Sequence, residues 1–137
     1  MSNVLVVTRQ DYDRLKTLVT AGLDASRGPR QPLIDLRAEL EKAVIVDPKK
    51  IPAGVVTMRS IVRLVDLDTK KEEEYQLVYP HEADIREGKI SVLAPIGTAI
   101  IGAREGDTIE WKVPNGLRRL KIRKVSFQPE AAGEYQL

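Results

Sequence analysis

Apolar residues recur at three- and four-residue spacing through the first third of the chain and at alternate positions through most of the rest. Tyr12, Leu15, Leu18, Val19 and Gly22 form one stripe, which predicts a helix over about residues 9–23 with Asp11, Asp13, Arg14 and Lys16 on its watered face. Thr8 is the expected N-cap. Asp11 stands three residues on and can bond back, and Val7 can pack on Tyr12 as a hydrophobic staple. Gly22, Gly28 and Pro29 are expected to end this helix. A second helix opens at Pro32, carries Leu33, Leu36, Leu40, Ala43 and Val44 at the same spacing, and is stopped by Asp47-Pro48. Two such stripes joined by a Gly/Pro turn make an antiparallel hairpin, here only about 20 Å long at 1.5 Å per residue.

From Val55 the period changes to two, and residues 56–66 are long enough for one extended or bulged strand. A turn over residues 66–71 leads to a second strand at 74–79, ended by Pro80, and residues 81–88 form a polar crossover. Ser91, Val92 and Leu93 read as a third strand. Pro95 then opens a helix of about one and a half turns, left through Gly102 and Gly106-Asp107. A helix that short is not stable alone, so Ile96, Ala99, Ile100 and Ile101 are expected to bury against the sheet as its plug. Residues 107–113 follow, with Ile109, Trp111 and Val113 on one face and Trp111 expected in the core. Asn115-Gly116 signals a hairpin, and Leu117, Leu120, Ile122 and Val125 lie in a last strand with Arg118, Arg119, Lys121, Arg123 and Lys124. The tail, residues 128–137, has little to bury. The expected fold class is α+β: a short antiparallel helical hairpin over residues 1–46, then over 47–137 an antiparallel sheet wrapped round one short helix.

Composition narrows the possibilities by exclusion. A length of 137 residues suits one domain with a small appendage, and 42% hydrophobic against 31% charged residues suits a water-soluble globule. Without cysteine there is no disulfide, thiolate metal site or cysteine nucleophile. The apolar run of residues 4–7 meets Arg9 and Asp11 too soon for a signal peptide, and no stretch approaches the roughly 20 apolar residues of a membrane span, so a cytoplasmic protein is expected. A net charge of +2 is far from the excess of a protein that grips nucleic acid through its phosphates, so no direct sequence-specific nucleic-acid binding is expected.

The corner Ala94-Pro95-Ile96-Gly97-Thr98-Ala99-Ile100-Ile101-Gly102, followed by Gly106-Asp107, a strand, Pro114-Asn115-Gly116 and a final strand, resembles the C-terminal domain of the Gre transcript-cleavage factors. The resemblance covers roughly residues 55–127. Val55-Val56-Thr57-Met58, the tail from Gln128 to Tyr135 and the overall length are closer to the Rnk branch of that family, whose name refers to regulation of nucleoside diphosphate kinase. The resemblance implies an FKBP-like C-terminal domain, an antiparallel helical arm, and binding to bacterial RNA polymerase at the mouth of its secondary channel. It also implies that Leu93, Ala94, Pro95 and Ile96 contact the polymerase. Gre factors typically place a serine preceded by an acid before the corner proline, where this chain has Leu93 and Ala94.

Gre-type cleavage needs carboxylates at the arm tip to hold Mg²⁺, a hard cation that wants oxygen ligands. The tip here carries Asp24 beside Arg27 and Arg30, with Asp35 one turn up the second helix, and two cations beside a lone acid repel Mg²⁺. No catalytic residue, metal or cofactor is therefore expected, and Asp24 and Asp35 read as solvated helix-end residues. His81 has no second histidine or cysteine to share a metal and reads as incidental. The basic strand at 118–124 lacks alternating aromatics to stack bases, which favours a solvated face or a rim contact to an acidic partner. With one Trp and one Phe the chain can hardly line an aromatic proline pocket, so prolyl isomerase activity is not expected. The expected function is that of a monomeric, non-enzymatic regulator that binds RNA polymerase and competes with Gre factors. The alternatives are a true cleavage-stimulating elongation factor and an interaction module that regulates a metabolic enzyme.

Overall fold

The computed structural model describes residues 5–25, 29–113 and 116–134, with the backbone alone at 111–113. The chain runs β1 (Val6–Thr8), α1 (Arg9–Asp24), α2 (Gln31–Lys42), β2 (Val44–Val46), β3 (Ile61–Asp66), β4 (Glu72–Val78), β5 (Lys89–Ser91), α3 (Pro95–Ile100), β6 (Thr108–Val113) and β7 (Gly116–Phe127). Single 3₁₀ turns lie at Pro48–Lys50, Pro80–Glu82 and Ile85–Glu87. This is an α+β fold, with two helices followed by a five-stranded sheet in the order β5-β4-β3-β7-β6.

The helical hairpin forms where the period predicts it. Thr8 caps α1 by accepting the Asp11 N–H at 3.0 Å, and Leu15 and Val19 of α1 and Leu33, Leu36 and Leu40 of α2 are buried. Gly22 does not end α1. It lies inside the helix and admits Leu33, whose Cδ1 would stand 2.8 Å from a Cβ there, so the glycine sets how closely the two helices approach. Nor does α2 run to Asp47: the chain leaves the helix at Ala43, and residues 44–46 pair in parallel with residues 6–8 as a separate two-stranded ribbon. β-branched Val44, Ile45 and Val46 explain the switch, since they favour extended backbone when a partner strand is beside them.

The expected strand over residues 56–66 is shortened to Ile61–Asp66, because residues 57–60 turn instead. In that turn Ser60 N–H donates to Thr57 O, Thr57 N–H donates to Ser60 Oγ, and Arg59 takes a left-handed φ of 66°. The sheet is also mixed rather than wholly antiparallel, since β5 runs parallel to β4. The short crossover suffices because β5 pairs only with Gln76, Leu77 and Val78, so the chain retraces only about 7 Å of β4 at 3.3 Å per residue. The tail departs from expectation too: Gln128 and Glu130 are buried, and Gln128 Nε2 donates to Pro52 O and Val55 O. A glutamine amide with two backbone acceptors can be buried without an apolar face, which hydrophobic patterning cannot reveal. Of the hairpin signal, Asn115 lies outside the described residues, while Gly116 opens β7 opposite Val113; the side chains of Trp111 and Val113 and the tail residue Tyr135 lie outside them as well.

One cluster of buried residues runs from Val7, Leu15 and Leu36 through Met58, Val62 and Leu77 to Ile100, Ile101 and Ile122. α3 is its plug, with Ile100 and, just past its end, Ile101 fully buried and Ile96 and Ala99 partly so. Gly97 lets α3 sit on the end of β5, since a Cβ there would meet Ser91 O at 2.1 Å. Ile100→Ala is expected to cost about 2–5 kcal/mol, the range for truncating a buried isoleucine. A chemical denaturation curve checks this, and an unchanged midpoint would contradict the packing described.

Candidate functional site

The corner between β5 and α3 is short and internally bonded. Leu93 N–H donates to Ser91 Oγ and Ala94 N–H to Ser91 O, each at 3.0 Å, and Thr98 Oγ1 donates to Val92 O at 2.6 Å. Pro95 at the start of α3 is exposed, and Leu93, Ala94 and Ile96 are half-buried. The four residues thus form a fixed apolar knob rather than a loose loop. Ile96 also borders a cavity of about 110 Å³ floored by Leu64 and Leu120. The Asp66–Arg118 ion pair and the hydrogen-bonded pair of Tyr75 and Glu73 line its sides. Hydrogen bonds from the Thr69 and Asp68 N–H groups and from Arg118 hold the Asp66 carboxyl below the usual carboxylate range, Thr69 contributing most. The cavity therefore keeps a fixed negative and a fixed positive group beside an apolar floor.

The arm tip is built differently. Asp24 is the exposed last residue of α1, and Arg30 Nη1 donates to Leu23 O at 2.9 Å, tying the start of α2 to the end of α1. Asp35 accepts from Gln31 Nε2 at 2.7 Å on the outer side of α2, and Arg27 lies outside the described residues. Among the described residues no three His, Asp or Glu side chains are grouped to hold a metal ion, and no helix is long and apolar enough to cross a membrane. The basic strand is partly neutralised: Arg118 meets Asp66, Arg119 meets Asp68 at 2.9 Å, and Arg123 lies 3.6 Å from Glu72.

Two features escaped the sequence pattern. Asp11 is not on the watered face of α1 but 2% exposed, its Oδ2 accepting the Met58 N–H at 3.0 Å. Glu130 reaches the same turn from the tail and accepts from Thr57 Oγ1 at 2.7 Å. Two carboxyls thus converge on successive residues of a buried turn, where the backbone N–H and hydroxyl need acceptors. The other feature is a groove of about 590 Å³ between α1 and residues 79–81, lined in part by Arg14, Arg59 and His81. A charged residue on an amphipathic helix reads as exposed from periodicity alone, and neither arrangement is local in sequence.

A helical hairpin followed by a mixed sheet with a proline-opened plug helix and an apolar corner defines a class of small bacterial transcription proteins. The family described as transcription elongation factor, GreA/GreB, C-terminal, matches residues 51–127. The regulator of nucleoside diphosphate kinase of Escherichia coli strain K12 is 40% identical over 108 residues, covering 77% of this chain and 79% of that protein. Transcription elongation factor GreA of Thermodesulfovibrio yellowstonii is 39% identical over 94 residues, 69% of this chain and 60% of that factor. Among solved structures, a GreA/GreB elongation factor from Nitrosomonas europaea superposes with a TM-score of 0.73 at 37% identity, over 92% of this chain and all of that one. The chain belongs to the GreA/GreB transcription elongation factor family, on the side of it that resembles the regulator of nucleoside diphosphate kinase.

Burial pushes the Asp11 carboxyl up to about 7; the Met58 hydrogen bond opposes the rise and the charge of Glu130 adds to it. The folded protein keeps a proton that the unfolded chain releases near pH 4, so the stability from this group is full below about pH 4 and is lost as the pH rises to about 7. Asp11→Asn keeps an acceptor for Met58 and cannot ionise. Urea denaturation between pH 4 and 8 is expected to show stability falling less with pH in Asp11→Asn than in the parent, by up to a few kcal/mol at about 1.4 kcal/mol per pH unit. Parallel pH profiles would contradict the buried carboxyl.

Proposed function

We propose that this protein is a non-enzymatic regulator that binds bacterial RNA polymerase near the secondary channel and competes there with Gre factors. The observation that carries the reading is the rigid corner: Leu93, Ala94, Pro95 and Ile96 present an apolar knob beside a cavity that keeps its own ion pair. Such a surface suits a protein partner with an apolar anchor and charged neighbours. In this reading residues 47–137 form the docking body and residues 1–46 an arm. α1 has 16 residues and α2 12, so the arm reaches about 24 Å and 18 Å along its two helices at 1.5 Å per residue, too little to cross a channel to a buried active centre. Charge works in the same direction, since Arg27 and Arg30 follow Asp24 closely in sequence and disfavour a divalent cation there. The name of the 40% identical relative supports a second reading, in which the partner is nucleoside diphosphate kinase.

Pull-down with core RNA polymerase is expected to recover the protein, and Ile96→Asp, its fold verified by circular dichroism, is expected to bind about tenfold more weakly, near 1.4 kcal/mol. Unchanged affinity in the folded variant would dismiss the corner, and retention by the kinase but not the polymerase would favour the second reading.

In a backtracked elongation complex the protein is expected not to stimulate release of the RNA 3′ end, yet to lower the cleavage produced by an added Gre factor. Cleavage that Asp24→Asn abolishes would make it a cleavage factor instead. Polymerase binding without competition would remove the shared site.

A further inference from the structure

Past the end of β7 the tail folds into turns whose backbone hydrogen bonds close within it: Ala132 N–H donates to Gln128 O, Gly133 N–H to Glu130 O and Glu134 N–H to Pro129 O. Side chains tie it to the body. Gln128 Nε2 donates to Pro52 O at 2.8 Å and to Val55 O at 2.7 Å, and Glu130 Oε1 receives the Thr57 hydroxyl at 2.7 Å. Gln128, Pro129 and Glu130 are buried, whereas residues 131–134 are exposed. The tail is therefore fastened at its near end, and Glu130 is the last of its described residues to grip the body.

The Glu130 bond completes a chain of hydroxyls. Thr57 has one hydroxyl proton and gives it to Glu130, so in the 2.8 Å contact between Thr57 Oγ1 and Ser60 Oγ the serine is the donor. Ser60 Oγ in turn accepts the Thr57 N–H at 2.9 Å. Both residues are buried, and a departing Glu130 must be replaced by water if the Thr57 hydroxyl is to keep an acceptor.

Met58, the next residue of this turn, gives its N–H to Asp11. The groups that face Asp11 are Arg14 on its own helix, Arg59 in the turn, Glu130 in the tail and Tyr79 just beyond β4. Burial, and after it the charge of Asp11, pushes the Tyr79 hydroxyl up to about 12, so it stays neutral. The Met58 N–H, Arg14 and Arg59 favour the Asp11 anion, although Arg59 is shared with Glu82 at 3.0 Å. Burial opposes the anion most and Glu130 adds to that opposition. Of these two, the packing of α1 on the core is fixed, whereas Glu130 sits on a tail that can swing away. An ionised Asp11 also holds the Met58 N–H more firmly, so the helix stays seated. Gln128 carries no charge and remains as the hinge.

We propose that the tail from Pro129 onward is a pH-sensitive strap, closed over the turn at residues 57–60 while Asp11 keeps its proton and released when Asp11 ionises beside Glu130. The sign follows from linkage. A closed strap keeps Glu130 near Asp11 and so binds the Asp11 proton more tightly than an open one, and its advantage is lost as the pH rises through about 7. Release uncovers the Thr57 hydroxyl. The strap requires nothing of the polymerase-binding corner.

The chain contains no cysteine, so Ala131→Cys provides a single, exposed attachment point for a nitroxide spin label on the full chain. Electron paramagnetic resonance is expected to show the ratio of mobile to immobile label rising about fivefold between about pH 6 and pH 8. In the labelled chain Asp11→Asn is expected to hold the label immobile at both pH values. Glu130→Gln keeps an oxygen for Thr57 without the charge and is expected to do the same, whereas Glu130→Ala is expected to leave the label mobile at both. Circular dichroism at each pH verifies that the body stays folded. Label mobility in the parent that does not change with pH, whether high or low, overturns the proposal. So does a rise of the same size in folded Asp11→Asn or Glu130→Gln.

Discussion

A helix of six residues cannot hold itself in water, and the rest of this molecule is arranged so that α3 does not have to. Ile100 and, just past the helix end, Ile101 fill the space between the helical hairpin and the sheet. Gly97 allows the backbone of α3 to touch that of β5, and Gly102, at φ 77°, turns the chain so that its N–H reaches Val56 O while its own carbonyl receives Val6 N–H. One short segment thus ties the ribbon strand β1, the 55–60 segment and the sheet together. The corner that opens this helix inherits its rigidity, which is why a surface feature of four residues can present a defined shape.

The buried turn at residues 57–60 is a second junction, polar where the first is apolar. α1 supplies Asp11, the tail supplies Glu130, and both accept hydrogen bonds from adjacent residues of the turn. Gln128 adds two bonds to the backbone just upstream. A carboxyl this deep is costly as an anion, and burial keeps the Asp11 proton on until near-neutral pH. Arm, tail and sheet are consequently joined by an arrangement whose strength falls as the pH rises from about 4 to about 7.

The two junctions face different chemistry. Around the corner, apolar side chains adjoin a fixed ion pair, which is the composition of a protein contact. Around the turn, arginine, aromatic rings and a carboxylate line a groove of small-molecule size. Family membership accounts for the plan of the chain and bears directly on the first, since the matched residues 51–127 include the corner, whereas α1, which forms one wall of the groove, lies outside that span.

The hairpin helices, the Thr8 cap, the short plug helix opened by Pro95 and the long basic last strand were all legible in the sequence. Each depends on spacing or on a local backbone preference that neighbouring residues supply. Tertiary contact decided the rest. Val44, Ile45 and Val46 became a strand because Val6, Val7 and Thr8 lay beside them, and residues 57–60 turned because two distant carboxyls came to receive their donors. Asp11, exposed by its place in the helical pattern, was buried by what packed against it, and Gly22, a helix breaker by habit, became a seat for Leu33. Periodicity records which face a residue takes but not what the remainder of the chain brings to that face, and only the folded chain supplies that second fact.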